Sequence, residues 1–189
     1  MKSEDLGDDL TSIVVTNDQI VTRISEIASQ IDSDYGQTDK PLLLVGVLKG
    51  AVMAMADLAR AMTTPVNMDY MAVSSYGSGT KSSGVVRIIK DLDIDLNGRD
   101  VLIVEDILDT GLTLSWLIKN LRSRGPRSVE VMTMFRKPDA VKIQVDAKYI
   151  GFDIPSDFVV GYGLDYNEQY RNLRDVAVLA PHVYSRSDS

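Results

Sequence analysis

The chain of 189 residues contains no cysteine. Disulfides and thiolate zinc sites are therefore excluded, and a reducing compartment suits it. No apolar run approaches the ~20 residues that a membrane-spanning helix needs. The start, MKSEDLGDDL, is acidic and lacks the basic-then-apolar order of a signal peptide, so a cytoplasmic protein is expected. Positive charge is also scarce. The net charge of -7 argues against nucleic-acid binding, which needs basic surface, though it leaves anionic small ligands open. Backbone N–H groups and a metal ion hold phosphate without a basic composition. The single histidine, His182, falls outside every motif below and reads as structural or solvated.

What is present is ordinary for one globular domain: 44% hydrophobic and 25% charged residues, enough for a real core. Residues 1–11 and 185–189 read as disordered ends of a single domain spanning 1–189. Thr16 and Gln19 have capping-box spacing. Ile20, Ile24, Ile27 and Ile31 then recur at helical steps. LLLVGVL, residues 42–48, is a continuous apolar run and predicts a buried strand. Residues 51–62 are rich in helix formers. Strands are expected at 66–74, 84–90, 101–105, 129–135, 148–152 and 158–162. A helix with Leu114, Leu117, Ile118 and Leu121 on one face ends before Gly125-Pro126. The Ser/Gly-rich segment SSYGSGTKSSG, residues 74–84, predicts a mobile loop. The eight methionines read as core or subunit-interface packing. Alternating strands and helices give an α/β fold with a mostly parallel central sheet flanked by helices. Ligands in such sheets bind at the carboxyl ends of strands, where Lys49-Gly50, Glu105-Asp106 and Phe135 to Lys137 are expected.

One stretch joins two chemistries. VLIVEDILDTGLTL runs from a buried strand into Glu105 and Asp106, then into Asp109-Thr110-Gly111-Leu112-Thr113 at a helix start. A helix N-terminus carries free N–H groups and the positive end of a dipole. With Gly111 allowing close approach and Thr110 and Thr113 offering hydroxyls, the loop is a phosphate cradle. The acids suit hydroxyl groups or Mg²⁺. A phosphorylated ribose carrying pyrophosphate satisfies both halves. The plainer alternative is that the acids merely end a strand and Asp109 caps a helix.

That stretch resembles the phosphoribosyl-pyrophosphate motif of type I phosphoribosyltransferases. With LVGVLKG, SSYGSGT, FRKP and DFVVGYGLDYNEQYRNL, the chain from about residue 12 to 180 is similar to the hypoxanthine-guanine phosphoribosyltransferases. The resemblance implies a type I phosphoribosyltransferase fold, with a small hood over the active site and a flexible loop. It also implies Mg²⁺-dependent transfer of phosphoribose from phosphoribosyl pyrophosphate to hypoxanthine or guanine, giving IMP or GMP and pyrophosphate. A homodimer or homotetramer is expected, with no nucleic-acid or membrane partner. Alternatives are a xanthine-preferring transferase, or a regulator of this fold that binds nucleotide or RNA.

By the same resemblance, Glu105 and Asp106 hold the ribose hydroxyls and, with Asp165, belong to the metal sites. The loop from Asp109 to Thr113 takes the 5′-phosphate, and Asp109 handles the proton at purine N7. Lys49, Gly50 and Arg171 meet pyrophosphate. Lys137 donates to the purine 6-oxo group, Phe158 stacks on the base, and Val159 contacts its edge. Ser75 and Tyr76 belong to the closing loop. The peptide before Lys49 is expected to be cis. One departure is Leu112, where some relatives have lysine. Lys81 in the mobile loop reads as solvated.

Overall fold

The computed structural model describes residues 1–75 and 86–185. In chain order the elements are β1 (Leu10–Val15), α1 (Asn17–Tyr35), β2 (Leu42–Leu48), α2 (Val52–Ala61), β3 (Val66–Ser75) and β4 (Val86–Lys90). They continue with β5 (Asp100–Leu108), α3 (Leu112–Arg122), β6 (Ser128–Arg136), β7 (Tyr149–Asp153), β8 (Val159–Val160), β9 (Val176–Leu179) and α4 (Pro181–Tyr184). The main sheet has the order β4-β3-β2-β5-β6-β7 and is parallel except for the β3–β4 pair. A smaller antiparallel sheet, β1-β9-β8, forms the hood.

The continuous apolar run of β2 has a direct cause: both faces of the sheet are covered. Leu42 and Leu44 pack with Leu102, Val104, Met132 and Met134 under the α1 and α2 residues Ile20, Ile24, Ile27, Met55 and Leu58. Leu43, Val45 and Val47 point the other way, with Val101, Ile103 and Val131, against Leu114, Leu117 and Leu121 of α3. Every position of the strand is therefore apolar, as a doubly covered parallel sheet demands. Helix α1 begins as its spacing predicts. Gln19 N–H donates to Thr16 Oγ1 (3.3 Å), and Thr16 N–H donates to Gln19 Oε1 (2.9 Å). Its isoleucines at 20, 24, 27 and 31 are all buried.

The N-terminus differs from expectation. Residues 3–9 form 3-10 turns and Leu10 and Thr11 open β1. Pairing with β9, about 165 residues downstream, orders this segment, and nothing local in the sequence announces it. The strand expected at 158–162 shrinks to two residues, because Gly161 and Gly163 turn the chain at φ 104° and 100°. The tail beyond Ser185 and the loop from Tyr76 to Val85 lie outside the described residues, as do the expectations attached to Tyr76 and Lys81 and to the side chain of Ser75.

Candidate active site

The cradle is built where β5 hands over to α3. Gly111 is the N-cap, in the left-handed region at φ 79°, and no side chain caps the helix. Asp109 is therefore not the cap; it is exposed and lines a cavity of about 410 Å³. The first N–H to bond back into the helix is that of Ser115, to Gly111 O at 2.9 Å. The earlier donors, including those of Thr113 and Leu114, have no carbonyl one turn back to reach. Both residues line the cavity. Helix termini of this kind attract anions. The glycine has a second cause that its sequence context does not reveal. Thr110 O accepts from the N–H groups of Lys142 and Ile143, at 3.0 Å each, and a Cβ on Gly111 would overlap the Ile143 carbonyl oxygen. The 141–145 segment thus braces the cradle from behind.

Glu105 and Asp106 lie inside β5 and not at its end. The strand continues because β6 goes on pairing with it, Ile107 with Phe135 and Leu108 with Arg136, while the pairing with β2 stops at Val104. Asp106 Oδ1 accepts from Ile107 N–H (2.8 Å). A Cβ on Gly50 would overlap the Asp106 carboxylate, and a Cβ on Gly163 would overlap the Gly50 carbonyl oxygen. Two glycines and an acid from three distant segments thus stack in direct contact. Burial raises the Asp106 pKa to about 6, against the pull of the Ile107 N–H and the Arg171 charge, with Asp165 adding to the rise. Burial, and then the charge of Asp106, push Glu105 well above the usual carboxylate range. Glu105 Oε2 is buried with no hydrogen-bond partner among the described residues. Such an orphan acceptor costs on the order of 1–3 kcal/mol. A hydroxyl donor would supply what it lacks.

Cations also line the cavity. A cis peptide joins Leu48 to Lys49, as expected. Lys49 Nζ lies 2.9 Å from Glu168 Oε2. Arg171 Nη1 donates to Gly163 O (2.8 Å), and its Nη2 sits 2.9 Å from Asp165 Oδ1 and 3.4 Å from Glu168 Oε2. Arg171 Nε is buried without a partner among the described residues. Asp165 and Arg171 both come from the loop between β8 and β9, so the hood supplies this wall.

The cavity brings together most of the residues that the sequence singles out: Lys49, Gly50, Glu105, Asp106, Asp109, Thr110, Gly111, Thr113, Asp165 and Arg171. Leu112, Lys137, Phe158 and Val159 are not among its lining residues. Lys137 stands at its edge, with its N–H on the carbonyl of Leu108, which does line the cavity (3.0 Å). Phe158 is 44% exposed and forms an aromatic group with Tyr166 and Tyr184, at ring distances of 5.9 and 5.5 Å. Val159 is buried and paired with Val178. Sequence reasoning missed the apolar lining from Val47, Val73 and Leu114, whose patterns mark core strands and helices. It also missed Glu168, which looks like a solvated acid in a polar turn.

For a metal, the acids offer little that is closed. Among the described residues no group of three acids or imidazoles could hold an ion by itself, so Glu105, Asp106 and Asp165 do not form one cage. Asp106 and Asp165 nonetheless share the cavity and feel each other's charge. This fits Mg²⁺, which takes one or two carboxylates and completes its shell with water and phosphate oxygens.

A family model described as a phosphoribosyl transferase domain matches residues 11–167. The hypoxanthine-guanine phosphoribosyltransferase of Mycobacterium tuberculosis (strain H37Rv) is 59% identical over 180 residues, covering 93% of this chain and 89% of that protein. The protein of the same name from Bacillus subtilis is 47% identical over 176 residues, covering 93% and 97%. The crystal structure of a hypoxanthine phosphoribosyltransferase from Staphylococcus aureus superposes with a TM-score of 0.91 at 45% identity, covering 96% of this chain and 98% of that one.

Proposed function

The chain belongs to the phosphoribosyl transferase family, and on that premise we propose that it is a hypoxanthine-guanine phosphoribosyltransferase of purine salvage. It transfers the 5-phosphoribosyl group of phosphoribosyl pyrophosphate to N9 of hypoxanthine or guanine, releasing IMP or GMP and pyrophosphate. The observation that carries this reading is the set of groups that share one cavity. An uncapped helix start, two raised carboxylates and the cations Lys49 and Arg171 all line it. A ligand with phosphate, hydroxyls and diphosphate meets a complementary group for each.

The chemistry follows from these placements. The bond from ribose C1 to the pyrophosphate oxygen breaks as the bond from C1 to N9 forms, and the electron pair leaves with pyrophosphate. Lys49 and Arg171 stabilise the leaving charge in a site where donors are fixed before the reaction. Asp109 handles the purine proton at N7, which its exposed position beside the cradle favours. Lys137 donates to the 6-oxo group; an ammonium has no acceptor for the 6-amino group of adenine. Phe158 gives the base a surface to stack on and Val159 its main chain. Bound Mg²⁺ would be held by Asp106 and Asp165 with phosphate oxygens and would neutralise the diphosphate. The enzyme is read as cytoplasmic; no described helix is long and apolar enough to cross a membrane. It is also read as self-associating, and Met68 and Ile89, 41% and 68% exposed on neighbouring strands, offer apolar surface for that.

Initial rates with hypoxanthine, guanine, xanthine and adenine, each with and without Mg²⁺, test the reading. Turnover of the first two, dependent on the metal, is expected. Preference for xanthine would reassign the base, and turnover of none would remove the activity.

A further inference from the structure

Glu168 holds the cations assigned to pyrophosphate. Its carboxylate lies 2.9 Å from Lys49 Nζ through Oε2 and 3.4 Å from Arg171 Nη2. The pair with Lys49 joins residues 119 apart in sequence and is no accident of local sequence, while Arg171 lies three residues on from Glu168. The backbone aims the side chain. Asn167 and Glu168 both have positive φ, 49° and 63°, in a tight turn closed by the pairing of Tyr166 with Gln169. Glu168 N–H donates to Asp165 Oδ2 (2.9 Å). Two successive residues without the freedom of glycine adopt this conformation. The result carries one carboxylate to two cations that line the cavity.

We propose that Glu168 is a built-in stand-in for the diphosphate: its carboxylate occupies Lys49 and reaches Arg171, and it must swing away before a diphosphate takes those cations. This rests on the assignment of Lys49 and Arg171 to pyrophosphate. The Lys49–Glu168 pair is exposed on both sides, 66% and 62%, so its displacement costs little and Glu168 swings into solvent at no steric cost. Arg171 also pairs with Asp165 at 2.9 Å, so it is Lys49 that Glu168 chiefly neutralises. The device lowers affinity for any anion too weak to displace a carboxylate, which favours multiply charged diphosphates over single phosphates.

Calorimetric titration of the full chain with inorganic pyrophosphate, in excess Mg²⁺, tests this in three proteins. Glu168→Gln removes the competing charge, and pyrophosphate is expected to bind about two- to fivefold more tightly, the scale of one exposed ion pair. Glu168→Asp keeps the charge but is one methylene shorter than the present reach, and it too is expected to bind more tightly than the unmodified protein. The hydrogen bond that shapes the turn comes from the main chain and survives both changes. Equal or weaker binding by Glu168→Gln would overturn the proposal. So would tightening by Glu168→Gln alone, since that outcome points to the field of the charge and not to occupancy of Lys49. If the unmodified protein takes up no pyrophosphate, the assignment of the site itself fails, a result distinct from equal binding by all three.

Discussion

The carbonyl oxygen of Gly50 occupies the place where a Cβ on Gly163 would stand. Gly163 belongs to the hood loop and Gly50 to the loop after β2. The contact therefore fixes the distance between the wall that carries Arg171 and Asp165 and the one that carries Lys49. Gly163 also sits at φ 100°, where side chains with a Cβ are strained. Gly163→Ala is expected to destabilise the protein by about 2–3 kcal/mol, the cost of one strained residue with a backbone clash. It should also weaken phosphoribosyl pyrophosphate binding while leaving the cradle at Gly111 intact. Urea unfolding and ligand titration check the two halves. An alanine variant of unchanged stability would show that the hood moves freely against Gly50.

Asp109 lines the cavity without capping α3 or making an ion pair among the described contacts. Its removal should therefore spare the fold. Asp109→Asn is expected to lower kcat by about 10²- to 10⁴-fold, the usual contribution of a general acid or base. Binding of phosphoribosyl pyrophosphate should change little. Equal turnover in the variant would remove Asp109 from the chemistry.

Lys137 is held by its main chain to Leu108, leaving its ammonium to act on a ligand. Lys137→Ala is expected to raise KM for hypoxanthine and guanine by roughly tenfold or more, the scale of a hydrogen bond from a charged donor. The preference over adenine should narrow with it. Competition assays with adenine measure this directly, and an unchanged preference would mean that another group reads the 6-position.

Much of this is legible in the sequence, and the reasons are physical. Periodic apolar patterns report burial, so β2, α1 and α3 appear at their observed places. The Thr16–Gln19 box is a local hydrogen-bond pair and reads directly from four residues. The end of β5 is not legible in the sequence: Glu105 and Asp106 look like a strand terminus, whereas main-chain pairing with β6 is indifferent to their charge. Strands β1 and β9 are not legible because their pairing spans the length of the chain and β1 is mostly exposed. Within the site, the acids, the cradle and the cations were visible as residue types in order. The Gly163–Gly50–Asp106 stack and the reach of Glu168 were not, because each depends on backbone conformation far away in sequence.

The two acids carry the last expectation. Asp106 keeps its proton to about pH 6 in the folded chain, because burial disfavours its charge, but only to about 4 when unfolded. The folded state therefore binds the proton more tightly. Stability is greatest below the unfolded value, and it falls as pH rises through the interval from about 4 to about 6. Above that interval the ionised Asp106 opposes the fold by about 3 kcal/mol. Asp106→Asn removes the charge but keeps an oxygen for the Ile107 N–H. In chelator and without ligand, the variant should melt about 6–12 °C higher than the parent at pH 8, by the usual conversion for a domain of this size. The two should converge near pH 4, where the parent's carboxyl is already neutral. The same change should abolish or strongly weaken binding of phosphoribosyl pyrophosphate with Mg²⁺, because the site gives up stability to keep a buried anion for its ligand. A gain of equal size at both pH values would show that packing, not charge, separates the two proteins.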